Sequence, residues 1–370
     1  MGRRLPGRRG LALLAGITAI SLATSLTDRV QDTIRDSASA SALPIASPPS
    51  NLTLPSLPTQ HGFNLLLLGD ASFRQLDDVV VDLRRIGADS LAITFLFSMS
   101  SYRASSVSVG PRTPSDMTLD RAIEAAHHRA LRVMLRPILD ESTLPPSQWR
   151  GSIQPTDPAA WFASYTELLT GWAALAESEG VEILDVGSEL DSMEVATSWS
   201  AMIAKVRRIY HGLITYSSNF DSLKAAMYTA LDFVSVDAYW SLDAPARPTA
   251  EQLVTAWQRP LRQMLAAANG KPVVLTELGV VPQAGIHLHP QLWVRTGAQD
   301  LEAQRIYYEA ACQAMDWQLL GLYWWDVTVP PESSDFSPLG RPAEGVVRRC
   351  FSHGPNEELG GARANSAARS

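Results

Sequence analysis

Two apolar runs of this chain end in acid. In VEILDVGSELDSMEV (181–195), Ile183, Leu184, Val186 and Leu190 call for burial, and Glu189 stands where the run stops, with Asp191 and Glu194 close behind. In KPVVLTELGVVP (271–282), Glu277 occupies the same place. Two carboxyl groups facing one another can cleave a glycosidic bond. One protonates the leaving oxygen while the other attacks the anomeric carbon or activates water, provided their surroundings push the two pKa values apart. The plainer reading of two strand-end glutamates is a structural ion pair with Arg136 or another base.

Something must bring these acids together. Short apolar runs at 63–69, 90–97, 132–139, 181–187, 212–218, 233–239, 272–278 and 320–327 read as strands. Amphipathic stretches such as FRQLDDVVVDLRRIG and PAAWFASYTELLTGWAALAESEG lie between them. Asp157-Pro158 opens the second of these as cap and first turn, and Gly180 closes it. Several strands are continuously apolar, which suits a parallel sheet covered on both faces. Eight strands and their helices over about 290 residues predict a single (β/α)8 barrel. A doubly wound open sheet is the structural alternative, but no GxGxxG follows the first strand.

Catalytic groups of such a barrel gather at the carboxyl ends of its strands. Besides Glu189 and Glu277, that rim should carry Asn64, Arg136, Asp140, Asp237, Tyr239, Trp324, Trp325 and Asp326. Asp185 is expected to pair on the far side. His287 and His289 follow strand seven; their spacing could ligate a metal, but no third ligand is in view, and a place along a substrate subsite fits better. No metal and no cofactor is expected.

The chain has 370 residues, 46% of them hydrophobic and 19% charged, with ten Trp, an ordinary globular composition apart from the tryptophan. GRRLPGRR followed by 17 uncharged residues has the layout of an export signal or an uncleaved membrane anchor over 1–26. Removing that segment takes away four arginines and no acid, so the formal charge moves from −7 to −11. So acidic a protein is not built for nucleic acid. Residues 27–60 have a Ser/Ala/Pro-rich linker composition, 61–352 form the folded domain, and 353–370 read as a disordered tail. Cys312 and Cys350 could form a disulfide in an exported protein or remain separate thiols. The protein should be exported and monomeric, with a possible membrane tether through its N-terminal segment.

LDVGSEL, VSVDAYW, KPVVLTELGVVPQAG and GLYWWDVTVPPESSDFSPLGRPAEGVV occur in this order at the expected strand ends. Together they resemble the retaining glycoside hydrolases of clan A, and most closely glycoside hydrolase family 113, the endo-β-1,4-mannanases and their relatives. The resemblance spans about residues 61–350. It implies that Glu189 is the general acid/base and Glu277 the nucleophile, that Tyr239 orients Glu277, and that Trp324 or Trp325 forms the floor on which a sugar stacks. The implied substrate is a β-linked polysaccharide or oligosaccharide, β-mannan first. One departure stands out: clan A mostly places Asn before the acid/base, where it holds the sugar 2-hydroxyl, and here the residue is Ser188. With Asn64, Arg136, Asp237 and Tyr239 it belongs to the expected substrate-binding set. Two other classes are compatible with a barrel. One is a catalytically inactive, carbohydrate-binding barrel; the other is a metal-dependent hydrolase, which would need a His/Asp cluster at the strand ends.

Overall fold

The computed structural model describes residues 59–314, 319–329 and 334–352. The segments read from sequence as signal or anchor, linker and tail lie outside the described residues, apart from the last two positions of the linker. Eight parallel strands close into a barrel in chain order. They are β1 (Gln60–Leu67), β2 (Ser90–Phe97), β3 (Arg132–Leu139), β4 (Ile183–Ser188), β5 (Leu213–Asn219), β6 (Val234–Asp237), β7 (Val273–Leu278) and β8 (Gly321–Val329). The helices between and after them are α1 (Phe73–Arg85), α2 (Asp116–His128), α3 (Pro158–Ser178), α4 (Ala196–Val206), α5 (Ala250–Ala268), α6 (Leu301–Ala314) and α7 (Pro342–Ser352). The β5–β6 crossover carries a 3-10 turn, Ala225–Ala230, in place of an α-helix.

Local chemistry sets the helix ends. Asp157 accepts from the Ala160 N–H ahead of Pro158, and Gly180 leaves α3 in the left-handed region with φ of 69°. Ser72 with Gln75, and Thr249 with Gln252, form capping boxes at α1 and α5. Every residue of β2, β4, β6 and β7 is buried, because one face of each strand lines the barrel and the other lies under the helices.

The barrel interior is layered. Ala92, Met134, Ile183, Phe233, Val274 and Tyr323 form an apolar plug. Tyr323 crosses so close to β1 that a Cβ on Gly62 would lie 2.2 Å from its ring, which explains the glycine. Two residues further along the strands the inward positions turn polar: Thr94, Arg136 and Asp185 follow Ala92, Met134 and Ile183 on the same faces. The pairing register then shifts in β4 between Asp185 and Ser188, in β6 between Val236 and Asp237, and in β7 between Leu275 and Leu278. Such irregularities re-aim side chains at a strand end. Here they deliver Ser188, Asp237 and Glu277 to one place.

Cys312 of α6 and Cys350 of α7 are bonded, tying the last two helices together. Of the ten tryptophans, Trp161, Trp172, Trp199, Trp257, Trp324 and Trp325 are buried, which accounts for most of the unusual count by packing alone.

Candidate active site

Arg136 is the hub. Its side chain is fully buried, and its guanidinium donates to Asp185 (3.0 Å), Glu277 Oε1 (2.6 Å), Ser188 Oγ (2.8 Å), Asn64 Oδ1 (3.2 Å) and both oxygens of Asp237 (2.8 and 3.0 Å). One cation thus faces three carboxyl groups. They outweigh the burial that would otherwise lower the Arg136 pKa, and its charge is held firmly. Burial pushes Asp237 up to about 8 against the pull of Arg136, and pushes Asp185 upward as well.

Glu277 has both oxygens occupied: Oε1 accepts from Arg136 and Oε2 from the Tyr239 hydroxyl at 2.8 Å. Glu189 sits otherwise. It follows β4 in the left-handed region, with φ of 52°. For a residue other than glycine this costs about 1–2 kcal/mol. The conformation is over-determined by its neighbours. The Glu189 N–H donates to Ser217 O at 2.9 Å, and buried Leu190 donates its N–H to the Tyr216 hydroxyl at 2.9 Å. The nearest cation is Arg150, whose Nη1 lies 3.5 Å from Glu189 Oε2. Burial holds the Glu189 carboxyl well above the usual carboxylate range; Arg150 opposes this, while Asp237 and Glu277 add to it.

Several expected site residues are placed differently from the sequence reading. Asn64, Arg136, Ser188 and Asp237 are at most 1% exposed and are bonded to one another, so they position the acids and present no surface to a sugar. Asn64 donates to Thr276 O (2.9 Å) and accepts from Thr94 and Arg136. Ser188 accepts from Arg136 and gives its proton to Asp237 (2.9 Å), leaving nothing for a sugar 2-hydroxyl. Asp185 faces the interior instead of the far side, because the arginine needs a partner there. Trp324 points out of the barrel and stacks on Tyr308 of α6, with centroids 4.2 Å apart and planes 12° apart. It is therefore no platform. Trp325 points the other way, with Arg136 5.9 Å from its ring centroid, and meets Trp293 edge-to-face at 5.5 Å. Asp140 caps the next turn at Ser142 and pairs with Arg112, and Asp326 accepts from Ser334. His287 contacts the Ala244 carbonyl at 3.4 Å, and His289 is exposed. Among the described residues no group of three His, Cys, Asp or Glu is placed to hold a metal.

Sequence reasoning missed Arg150, Glu141 and Trp293. Arg150 lies on the β3–α3 loop, where its Nε (2.8 Å) and backbone N–H (3.1 Å) both bond Glu141 Oε1. Loops carry no periodicity that would have shown it. Trp293 is half exposed beside Trp325, and it stood in the sequence only as one tryptophan among ten.

The family model described as Glycoside Hydrolase Family 113 matches residues 70–334. Among solved structures, the family 113 β-mannanase AaManA of Alicyclobacillus acidocaldarius is similar at 25% identity and TM-score 0.71, over 80% of this chain and 98% of that one. A second family 113 β-1,4-mannanase is similar at 22% identity and TM-score 0.71, over 80% and 100%. The endo-β-1,4-mannanase of Thermotoga petrophila shares the fold at 13% identity and TM-score 0.55, over 80% and 77%. Comparison with curated protein sequences gives no significant match. The family model covers most of the barrel and the two acids lie within its span, so this chain is a glycoside hydrolase and belongs to family 113.

Proposed function

We propose that the protein is an exported, retaining endo-β-1,4-mannanase working by double displacement. The observation that carries this reading is the unequal environment of the two acids. Glu277 accepts hydrogen bonds on both oxygens and is positioned as the attacking carboxylate. Burial raises the Glu189 carboxyl above the usual carboxylate range, which favours the protonated form that a general acid requires.

In the first step Glu277 bonds to the anomeric carbon, the glycosidic bond breaks, and the Glu189 proton goes to the leaving oxygen. Glu277 is then an ester, and its charge no longer acts on Glu189. Arg150 stays, so the balance at Glu189 tips toward the carboxylate. In the second step Glu189 takes a proton from water, the hydroxide oxygen bonds to the anomeric carbon, and Glu277 leaves with its electron pair. The β configuration is restored. Mannan as substrate is supported by the family and by the mannanases among its structural relatives. Export is supported by the Cys312–Cys350 disulfide together with the basic-then-apolar N-terminal sequence.

The test is product analysis on mannans, β-glucans and bacterial exopolysaccharides, with proton NMR of the first product formed. Cleavage within mannan giving β product supports the reading. First-formed α product would sink retention, and binding without turnover of any polysaccharide would leave a carbohydrate-binding barrel.

A further inference from the structure

The cation beside Glu189 has a second and closer partner. Glu141 opens the 3-10 turn Glu141–Thr143 just past β3, and its Oε1 accepts both the Arg150 Nε–H, at 2.8 Å, and the Arg150 backbone N–H, at 3.1 Å. Nη1 of the same guanidinium lies 3.5 Å from Glu189 Oε2. One cation thus stands between two carboxyl groups, hydrogen-bonded to the first and just out of hydrogen-bond range of the second. The Arg150 and Glu189 side chains are 6% and 13% exposed and that of Glu141 is 36% exposed, so the acid in better contact with water grips the cation.

The backbone around this contact is held. Asp140 caps the turn at the Ser142 N–H (2.9 Å) and pairs with Arg112. Arg150 opens a second 3-10 turn, Arg150–Ser152, and the next residue, Ile153, accepts from the Ser192 hydroxyl (2.6 Å) on the loop beyond Glu189. What can turn is the guanidinium, between its two acids.

The groups that face Glu189 are Arg150 from the β3–α3 loop, Arg136 on β3, Asp237 on β6, Tyr239 just past it and Glu277 on β7; Asp191 and Glu194 follow on its own loop, where Glu194 pairs with Lys224. Burial raises the Glu189 carboxyl, and Arg150 is the strongest charge opposing that rise. Burial likewise works against the charge of Arg150, whose strongest support is Glu141, ahead of Glu189. A buried cation deprived of its first carboxylate turns to the remaining one, and a full ion pair would favour the Glu189 carboxylate over the acid. We propose that Glu141 is a positioning residue of the reaction: by gripping Arg150 it keeps the guanidinium from closing on Glu189 and so favours the protonated acid of the first step. This rests on the roles given to the two glutamates above.

The experiment measures the pH profile of kcat/KM on a manno-oligosaccharide for wild type, Glu141→Gln, Glu141→Ala, Arg150→Gln and the double variant Glu141→Gln with Arg150→Gln. Glutamine keeps an oxygen for the Arg150 N–H groups and removes the charge. Closing 3.5 Å to hydrogen-bond distance at an effective dielectric of about 20 corresponds to about one pH unit, so the alkaline limb of Glu141→Gln should move lower by about that much. Glu141→Ala should move it the same way and decides alone if the first variant does not fold. In the Arg150→Gln background the Glu141 change should move the limb by less than about 0.3 units, because the effect runs through the arginine. A limb that stays or moves higher, with kcat/KM lowered evenly across pH, would make Glu141 structural and overturn the inference. An equal shift without Arg150 would overturn it too, leaving only the direct charge of Glu141 on the acid. A 2,4-dinitrophenyl β-mannobioside, whose leaving group needs no proton, serves as control: on it the wild-type alkaline limb should disappear. A limb that persists there would remove the acid role of Glu189 itself, a result distinct from an unmoved limb in an enzyme that passes this control.

Discussion

Replacing Arg136 with methionine should cost the fold heavily, and the cost should depend on pH. The substitution keeps the approximate length of the stem but strands Asp185, Asp237 and Glu277, whose hydrogen bonds to the guanidinium are 3.0, 2.8 and 2.6 Å long. Removing one partner of a buried pair costs about 3–5 kcal/mol, a large share of a typical total stability of about 5–15 kcal/mol. At about 3 kcal/mol per molar in urea, the unfolding midpoint should drop by roughly 1–1.7 M. The pH dependence follows from the carboxyls. Asp237 is pushed from 3.8 up to about 8, so the folded state binds the proton more tightly than the unfolded one. The stability this contributes is complete below about pH 4 and is lost as pH rises toward 8. Without Arg136 the penalty is therefore smallest near pH 5, where Asp237 holds its proton, and largest near pH 9. Asp237→Asn in the same background should recover part of it at pH 9. Urea unfolding of the three proteins at both pH values is the assay. A loss under about 1 kcal/mol, or one identical at both pH values, would show that the arginine acts through packing alone, and the electrostatic account of the hub would fail.

Three further outcomes are expected. Arg150→Gln removes a cation 3.5 Å from Glu189, an interaction of about 4–5 kcal/mol at an effective dielectric of about 20; the charged form loses support, and the alkaline limb of the kcat/KM profile should move to higher pH, a limb moving lower or not at all counting against it. Tyr239→Phe deletes the 2.8 Å hydrogen bond to Glu277 and should lower kcat/KM by about 10- to 150-fold, corresponding to about 1.5–3 kcal/mol, with circular dichroism unchanged. Cys312→Ser with Cys350→Ser opens a link between residues 38 apart, for which chain entropy gives about 4 kcal/mol; differential scanning calorimetry should show a lower midpoint, and reductant should have no effect on the double variant.

The strands were legible because a parallel sheet buried on both faces needs continuous apolar runs, and each of the eight runs is a strand to within about three residues at either end. The acids were legible for the converse reason: Glu189 and Glu277 interrupt apolar sequence where a strand must reach a rim. Orientation was harder to read. Trp324 and Trp325 are neighbours and so face opposite sides, and nothing in their types tells which one turns inward toward Arg136. Alternation along β4 breaks between Asp185 and Ser188, so counting back from Glu189 could not place Asp185. Arg150 matters through its contact with Glu189, 39 positions away, and no local pattern encodes such a distance.

Ser188 shows how one departure in sequence is absorbed. Clan A resemblance assigned its position to a sugar contact, yet its hydroxyl is spent within the protein: it accepts from Arg136 and donates to Asp237, which itself holds Thr276. A short side chain lets the guanidinium reach across β4 to Asp237 on β6 while still bonding Glu277 on β7. A longer amide at that point would meet side chains that are at most 1% exposed and have no room to yield. The serine therefore belongs with the arginine hub. The two glutamates differ because the hub lies on one side only. Arg136 and Tyr239 grip Glu277, while Glu189, turned into a left-handed backbone beyond Ser188, is left with burial and a single guanidinium that does not hydrogen-bond it.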